Sequence, residues 1–549
     1  MTTTITIDVT GMTCDGCERH VGEALTAAGL EDLRVDWRRG LAVGVDRGGF
    51  DVAKAESALE GSNYEIVSVS TERADTGTSE PADVAVDYDL VILGSGSAAF
   101  AAAIEAKELG ATVAIVERGT IGGTCVNIGC VPSKALLAPA DLYHRAGHSP
   151  FVGVETSAGR VNLTALVGAK DQLVATLRKE KYADLLDVYG IDLIQGTARF
   201  TGPTTVEVDG RPVVARRYLI ATGASTWVPP IDGLDDTPYL TSTTALELTE
   251  LPDELIVVGA NAIGLELGQL FAHLGSTVTW VEALDRIAPF EEPELSGLFK
   301  GHLEAQGSTV FEGATAKRAG RDRDRVWLEI DHRGTTVRIE ADRLLMATGR
   351  RANTPELGLE AAGVEVDRRG HVVVDDTLAT SNPAVWAAGD VATLPQFVYV
   401  AAASGNIAAE NALRGTGRSL DLRTMPRVTF TTPSFASVGL TEAAARRKGR
   451  PVTASILPLE VVPRALVNRD TTGAVKLVAD ETTGELLGAH VLADGAGDVI
   501  QAAVVAMTYH ATIDEIASMF HPYLTMAEAL KLAAQAFDKD VKNLSCCAA

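Results

Sequence analysis

The chain has 549 residues, 46% hydrophobic and 22% charged, which is too long for one ordinary domain and matches a globular protein with three or four cores. A formal charge of −25 argues against nucleic acid or an anionic membrane as partner, because such surfaces are met by Lys and Arg rather than by excess carboxylate. No apolar run is long enough to span a bilayer, and MTTTITIDVT lacks a basic stretch followed by an apolar one, so a cytoplasmic protein without stable membrane insertion is expected.

Residues 1–70 alternate strand-like ITIDV, helix-like CERHVGEALTAAG, strand-like LRVDW and LAVGV, helix-like DVAKAESALEG and strand-like YEIVSVS. That order predicts a small ferredoxin-like βαββαβ unit. Within it, GMTCDGC sets Cys14 and Cys17 just ahead of a helix, where the helix N-terminus favours thiolate and a two-residue gap lets both sulfurs reach one soft ion. No second CxxC or nearby His pair completes a tetrahedral zinc site, which leaves a two-coordinate soft metal, a redox pair or inert packing. Residues 71–86, rich in Thr, Asp, Glu, Ser, Gly and Pro, read as a flexible linker.

From Tyr88 the pattern becomes apolar strand, glycine turn, alanine-rich helix and strand, with Gly94, Gly96 and Ala99 in the GxGxxG/A positions and Glu117 closing the second strand. Such a turn lets backbone amides approach a pyrophosphate, and the carboxylate bonds a ribose hydroxyl. Then GGTCVNIGCVPSK places Cys125 and Cys130 five apart, where a helix is expected to bring them within disulfide range, with Gly122 and Gly123 leaving room for a ring cofactor. The βαβ pattern recurs with Gly259, Asn261, Gly264 and Glu282; Gly94 to Glu117 and Gly259 to Glu282 span the same 23 positions. Two Rossmann-like units therefore lie in one chain. Asn261 replaces the middle glycine and is the residue type most tolerant of unusual backbone angles after glycine. Glu282 suits the free 2′-hydroxyl of NADH and repels the 2′-phosphate of NADPH, a repulsion that Arg286 could partly offset, so NADH and NADPH both stay open. From about residue 426, strand-like TFTTPSFASVGLT, AVKLV and LLGAHVLA ahead of helical segments predict a separate α+β domain.

The cysteine count sharpens this reading, because all six fall into close pairs. The last pair, Cys546 and Cys547, is adjacent, and a vicinal disulfide is strained because neighbouring Cα atoms sit ~3.8 Å apart against the usual ~4.4–6.8 Å. Two thiols on a tail make a soft-metal clamp instead.

The motif from Gly11 to Cys17 resembles that of heavy-metal-associated domains, which carry copper(I), mercury(II) or similar ions. GGTCVNIGCVPSK resembles the redox-active disulfide of the flavin disulfide reductases, and ATG at 221–223, ATGR at 347–350 and AAGD at 387–390 extend the likeness over roughly 88–549. It implies FAD contacts at Gly123, Thr124, Lys134, Thr222, Gly223 and Asp390, a nucleotide contact at Gly349, Cys130 as the charge-transfer thiolate, Cys125 as the exchanging thiol, and Lys134 with Glu266 as the ion pair beside the flavin. On this basis residues 87–233 and 351–425 form the FAD-binding and central region, 234–350 the NAD(P) domain and 426–549 a dimerisation domain. One departure stands out. Where those reductases have HxHPTxxE, this chain has HPYLTMAE, with Tyr523 at the catalytic histidine and Leu524 at the following proline.

A tyrosine with a pKa near ~10 is a poor proton shuttle at neutral pH, which argues against disulfide turnover. Together the marks resemble the mercuric reductases, in which two tyrosines help bind the ion; Tyr523 matches one and Tyr182 the other. The resemblance implies small-thiol-bound Hg(II) as substrate, NADPH or NADH as donor, and a homodimer sharing its active site. Two other readings remain at this point: a dihydrolipoamide-type disulfide reductase with an accessory metal domain, and a soft-metal chaperone.

Overall fold

The computed structural model describes residues 3–11, 15–36, 41–59, 62, 64–73 and 86–541, and the chain divides into two compact units, Met1–Ala85 and Val86–Ala549. In the first, β1 (Thr3–Thr10), α1 (Asp15–Ala27), β2 (Glu31–Asp36), β3 (Leu41–Asp46), α2 (Val52–Leu59) and β4 (Glu65–Arg73) build an antiparallel sheet of order β2-β3-β1-β4. Alternate residues Ile5, Ile7 and Val9 of β1 bury against Val21 and Leu25 of α1, as period-2 and period-3.6 patterns require. The strand β4 runs three residues into the stretch read as linker, because Thr71–Arg73 continue the ladder opposite Thr3–Ile5.

The second unit opens with β5 (Tyr88–Leu93), α3 (Ser97–Glu108) and β6 (Val113–Glu117). These belong to a five-stranded parallel sheet completed by Asp192–Gln195, Ala215–Ile220 and Val385–Ala387. Their fully buried run Leu90–Leu93 is the continuous apolar pattern of a strand covered on both faces. Two helices follow β6, the short α4 (Gly123–Asn127) and the long α5 (Cys130–Gly147).

The repeat builds a second parallel sheet from β7 (Glu254–Val258), β8 (Thr277–Glu282), Thr309–Glu312 and Arg343–Met346, with α6 (Ala262–Leu274) between β7 and β8. Helix α7 (Pro293–Ala305) comes next, and α5 packs beside α6. Pro426–Ala493 contributes a five-stranded antiparallel sheet, followed by helices that end in α8 (Glu528–Gln535). The α/β order followed by α+β expected from the sequence is present. Among the described residues, no helix is long and apolar enough to cross a membrane.

Candidate active site

Both glycine turns are shaped by the strand that follows them in space. Gly94 has φ +108°, and a Cβ there would lie 2.4 Å from the carbonyl oxygen of Ala221; Gly259 has φ +96°, and its Cβ would lie 2.4 Å from that of Ala347. Only glycine fits such a position. Ala221 and Ala347 begin the two ATG segments, so ATG recurs because each copy follows the strand paired with the first strand of its Rossmann unit and faces that unit's glycine turn.

The acids match as well. Glu117 accepts hydrogen bonds from Ser95 Oγ at 2.5 Å and Gly119 N at 2.6 Å, while Glu282 accepts from Ala260 N at 2.7 Å and Leu284 N at 2.9 Å. Glu282 is buried, not a solvated strand end. Asn261 has φ −108° and ψ −169°, close to the −80° and −170° of Gly96, so neither position needs special backbone freedom, and the asparagine is not there to adopt an unusual angle. Arg286 does not present its charge outward: Nη2 donates to the carbonyls of Pro289 at 2.7 Å and Glu291 at 3.1 Å.

A cleft of about 690 Å³ runs past Gly94, Glu117, Gly123, Thr124 and Thr222. Its size and its donor set, a bare glycine turn with a fixed carboxylate, fit the ADP half of FAD. Thr222 is held in place by donating to the carbonyl of Asn353 at 3.0 Å, while Asn353 Nδ2 donates to the carbonyl of Thr222 at 2.8 Å. Gly223 (φ +67°) accepts from Asn353 N at 3.0 Å, and Gly349 (φ +125°) accepts from Trp227 N at 2.9 Å.

Cys125 and Cys130 do not share a helix. Positions five apart on one helix point ~140° away from each other, and the chain breaks instead at Ile128 (φ −140°) and Gly129 (φ −127°, ψ −111°), leaving Cys125 in α4 and Cys130 at the start of α5. That break lets the Cys125 thiol donate to the Cys130 sulfur. The hydrogen bond, aided by the nearby Lys134 ammonium, pulls Cys130 down to about 7 against burial and the charge of Glu266; the same bond and burial push Cys125 up. Helix α5's N-terminus favours the same Cys130 thiolate.

Lys134 Nζ lies 2.7 Å from Glu266 Oε2 and 4.4 Å from the centre of the Phe430 ring, whose backbone N–H donates to Glu266 Oε1 at 2.9 Å. Tyr182 belongs to a π-helical turn, Lys179–Ala183, and meets Phe100 edge to face at 5.0 Å. Burial raises its pKa, the two cysteine sulfurs add to that rise, and a hydrogen bond with Ser97 opposes it. The structure thus gathers Cys125, Cys130, Lys134, Glu266 and Tyr182. Tyr523 sits apart in sequence, on a half-exposed turn where Leu524 has φ +63°. Cys17 is buried in α1; Cys14, Cys546 and Cys547 lie outside the described residues.

Arg350, the last residue of ATGR, is assigned no role by the sequence. It donates through Nη2 to Thr124 Oγ1 at 3.3 Å and to the carbonyl of Ala224, and its Nε lies 3.9 Å from Asp390. Burial raises Asp390 and lowers Arg350, and each charge offsets the other's shift. Ser95 and Asn353 were missed too. Their signal was position alone, one residue beyond Gly94 for Ser95 and three beyond the ATGR motif for Asn353.

Comparison with known proteins places these features. Pyridine nucleotide-disulphide oxidoreductase matches residues 88–405, and the dimerisation domain of that family matches residues 425–534. A mercuric reductase of Bacillus cereus is 49% identical over 99% of this chain and 86% of its own; one of Lysinibacillus sphaericus is 48% identical over 99% of both. A third, from Streptomyces lividans, is 52% identical over 84% of this chain and 98% of its own. Among solved structures, the HOCl-induced flavoprotein disulfide reductase RclA from Escherichia coli superposes with a TM-score of 0.73 at 32% identity, covering 82% of this chain and 99% of that one. The chain belongs to the pyridine nucleotide-disulphide oxidoreductases and, within them, to the mercuric reductases.

Proposed function

We propose that the protein reduces thiol-bound Hg(II) to Hg(0) with electrons from NAD(P)H, as a detoxifying enzyme of the cytoplasm. The observation that carries this reading is the Cys125–Cys130 dithiol, with one sulfur held near neutral pKa beside Lys134 and with Tyr182 close by. Hg(II) is soft and prefers thiolate, so the pair serves as its binding site. When bound, FAD would supply the two-electron relay between NAD(P)H and the ion held at this dithiol. Overall, NAD(P)H and Hg(II) give NAD(P)⁺, H⁺ and Hg(0). The protein's part is to hold Cys130 as thiolate through Lys134, keep Lys134 fixed through Glu266, and present Cys125 and the Tyr182 phenol to the incoming ion.

The finer assignments rest on motif and arrangement. Cys14 and Cys17 in the ferredoxin-like unit of residues 1–70 collect the ion, and Cys546 and Cys547 of one subunit pass it to Cys125 and Cys130 of the other, with Tyr523 beside the transfer. A linker after β4, from residue 74 to 86, tethers the collecting unit. Residues 87–233 and 351–425 hold FAD, 234–350 hold the nicotinamide nucleotide, and 426–549 form the dimer. Tyr523 in place of a histidine base supports a metal ion over a disulfide as oxidant.

Purified protein should oxidise NAD(P)H under anaerobic conditions in saturable dependence on Hg(II) with excess small thiol. Cys125→Ala should abolish that turnover while FAD stays bound; oxidised lipoamide or glutathione sustaining equal turnover in place of Hg(II) would overturn the reading.

A further inference from the structure

We infer that Glu282 makes this protein selective for NADH over NADPH, a specificity that rests on the nicotinamide-dependent reading above. The carboxylate is only 6% exposed, and both oxygens are tied to backbone, Oε2 to Ala260 N at 2.7 Å and Oε1 to Leu284 N at 2.9 Å. It cannot swing aside for an incoming anion without giving up two charge-assisted hydrogen bonds. Two of its ~four lone-pair sites are thereby used, leaving acceptor capacity and no donor. A ribose 2′-hydroxyl brings the proton such a group needs. A 2′-phosphate brings negative charge and only further acceptors.

Position fixes what the carboxylate faces. Residues 94, 95, 117 and 119 correspond, 165 places on, to 259, 260, 282 and 284, and both acids are anchored from these equivalent positions at the end of the strand that follows the glycine turn, by the backbone N–H two residues on and by the residue after the turn glycine, Ser95 through its hydroxyl and Ala260 through its backbone N–H. In such a unit that strand end is where the adenosine ribose lies.

The surrounding segment supplies no compensating cation. Between Ala283 and Glu292 the chain has three acids, Asp285, Glu291 and Glu292, and one base, Arg286. That base is turned into the loop: Nη2 donates to the carbonyls of Pro289 and Glu291, and Nε is buried. Asp285, by contrast, is exposed. A 2′-phosphate would meet a pinned carboxylate and a second acid, with the one nearby guanidinium already committed to backbone.

The test uses the full-length FAD-loaded protein without Hg(II) and compares binding of ADP-ribose with that of 2′-phospho-ADP-ribose by calorimetry at fixed ionic strength. ADP-ribose should bind about tenfold tighter or more, the scale of a close like-charge contact. Glu282→Gln should narrow the gap about fivefold or more, and Arg286→Ala should leave it within about twofold. Equal or tighter binding of the 2′-phosphorylated probe by the unaltered protein would overturn the inference, as would its loss on Arg286→Ala alone. Should Glu282→Gln fail to fold, the unaltered protein and Arg286→Ala still decide. Because neither probe involves mercury, a failure of Hg(II) turnover leaves this result standing, and equal binding of both probes sinks it with turnover intact.

Discussion

The thiolate character of Cys130 rests chiefly on the hydrogen bond from Cys125 and on the Lys134 ammonium, set against burial and Glu266. Removing the cation in Lys134→Met should raise the pH midpoint of Cys130 alkylation above about 7, whereas Glu266→Gln should lower it; iodoacetamide rates across pH read both directions. Opposite signs from two partners of one ion pair distinguish electrostatics from general loosening of the site. Leu524 supplies a second test at this scale. Its φ of +63° lies in the region a proline ring cannot reach, so Leu524→Pro should cost ~3 kcal/mol or more in chemical denaturation, while Leu524→Gly should be neutral or stabilising. The sequence alone aligned this residue with a proline, and no pattern of side chains announces a left-handed backbone at a leucine. Cysteines, lysine and glutamate were legible because their chemistry demands those residue types. Arg350, Ser95 and Asn353 were not, since what matters there is a contact between segments far apart in the chain.

Helices α5 and α6 lie side by side, joined near their N-terminal ends by Lys134 and Glu266 and near their C-terminal ends by stacked imidazoles. His144 stacks on His273 at 4.2 Å and on His148 at 4.3 Å, with His302 of α7 and Arg145 of α5 also in the field of His273. Burial, reinforced by these neighbours, holds His273 down to about 3, and its Nε2 has no hydrogen-bond partner. A histidine whose folded pKa lies below its unfolded value contributes stability at neutral pH that is lost as pH falls below about 6.5. Going from pH 7 to pH 5 should therefore cost about 2 kcal/mol through this residue, and His273→Leu should flatten that part of the Tm-against-pH curve. At this scale the βαβ order and the two glycine turns were readable from apolar runs. The break between α4 and α5 was not, because Gly129 in a helical context signals only a possible interruption, and the exchange partners across it are set by tertiary packing.

At the scale of the whole protein, the family's dimerisation domain covers residues 425–534, and the exposed Phe520, Met519, Tyr523 and Tyr509 lie within that stretch. If each active site combines Cys125 and Cys130 of one subunit with Tyr523 and the terminal cysteines of the other, two inactive variants should rescue each other. Equal mixing of Cys125→Ala/Cys130→Ala chains with Cys546→Ser/Cys547→Ser chains, after dissociation and reassembly, should restore about a quarter of the original turnover with thiol-bound Hg(II), since half the dimers hold one intact site. No recovery above the unmixed variants would place the whole site within one chain. The network around Lys134 bears on a different matter, recombination. Lys134 lies in the first Rossmann unit, Glu266 in the second, and the Phe430 amide that orients Glu266 comes from the end of the first strand of the C-terminal sheet. A chimaera that imported its middle third from another reductase would inherit every cysteine unchanged and still misplace the ammonium beside Cys130 unless helix α6 and residue 430 arrived as a matched set. Viable crossover points, natural or engineered, are therefore expected in the stretch before residue 88, where an N-terminal unit can be gained or lost without touching that bond.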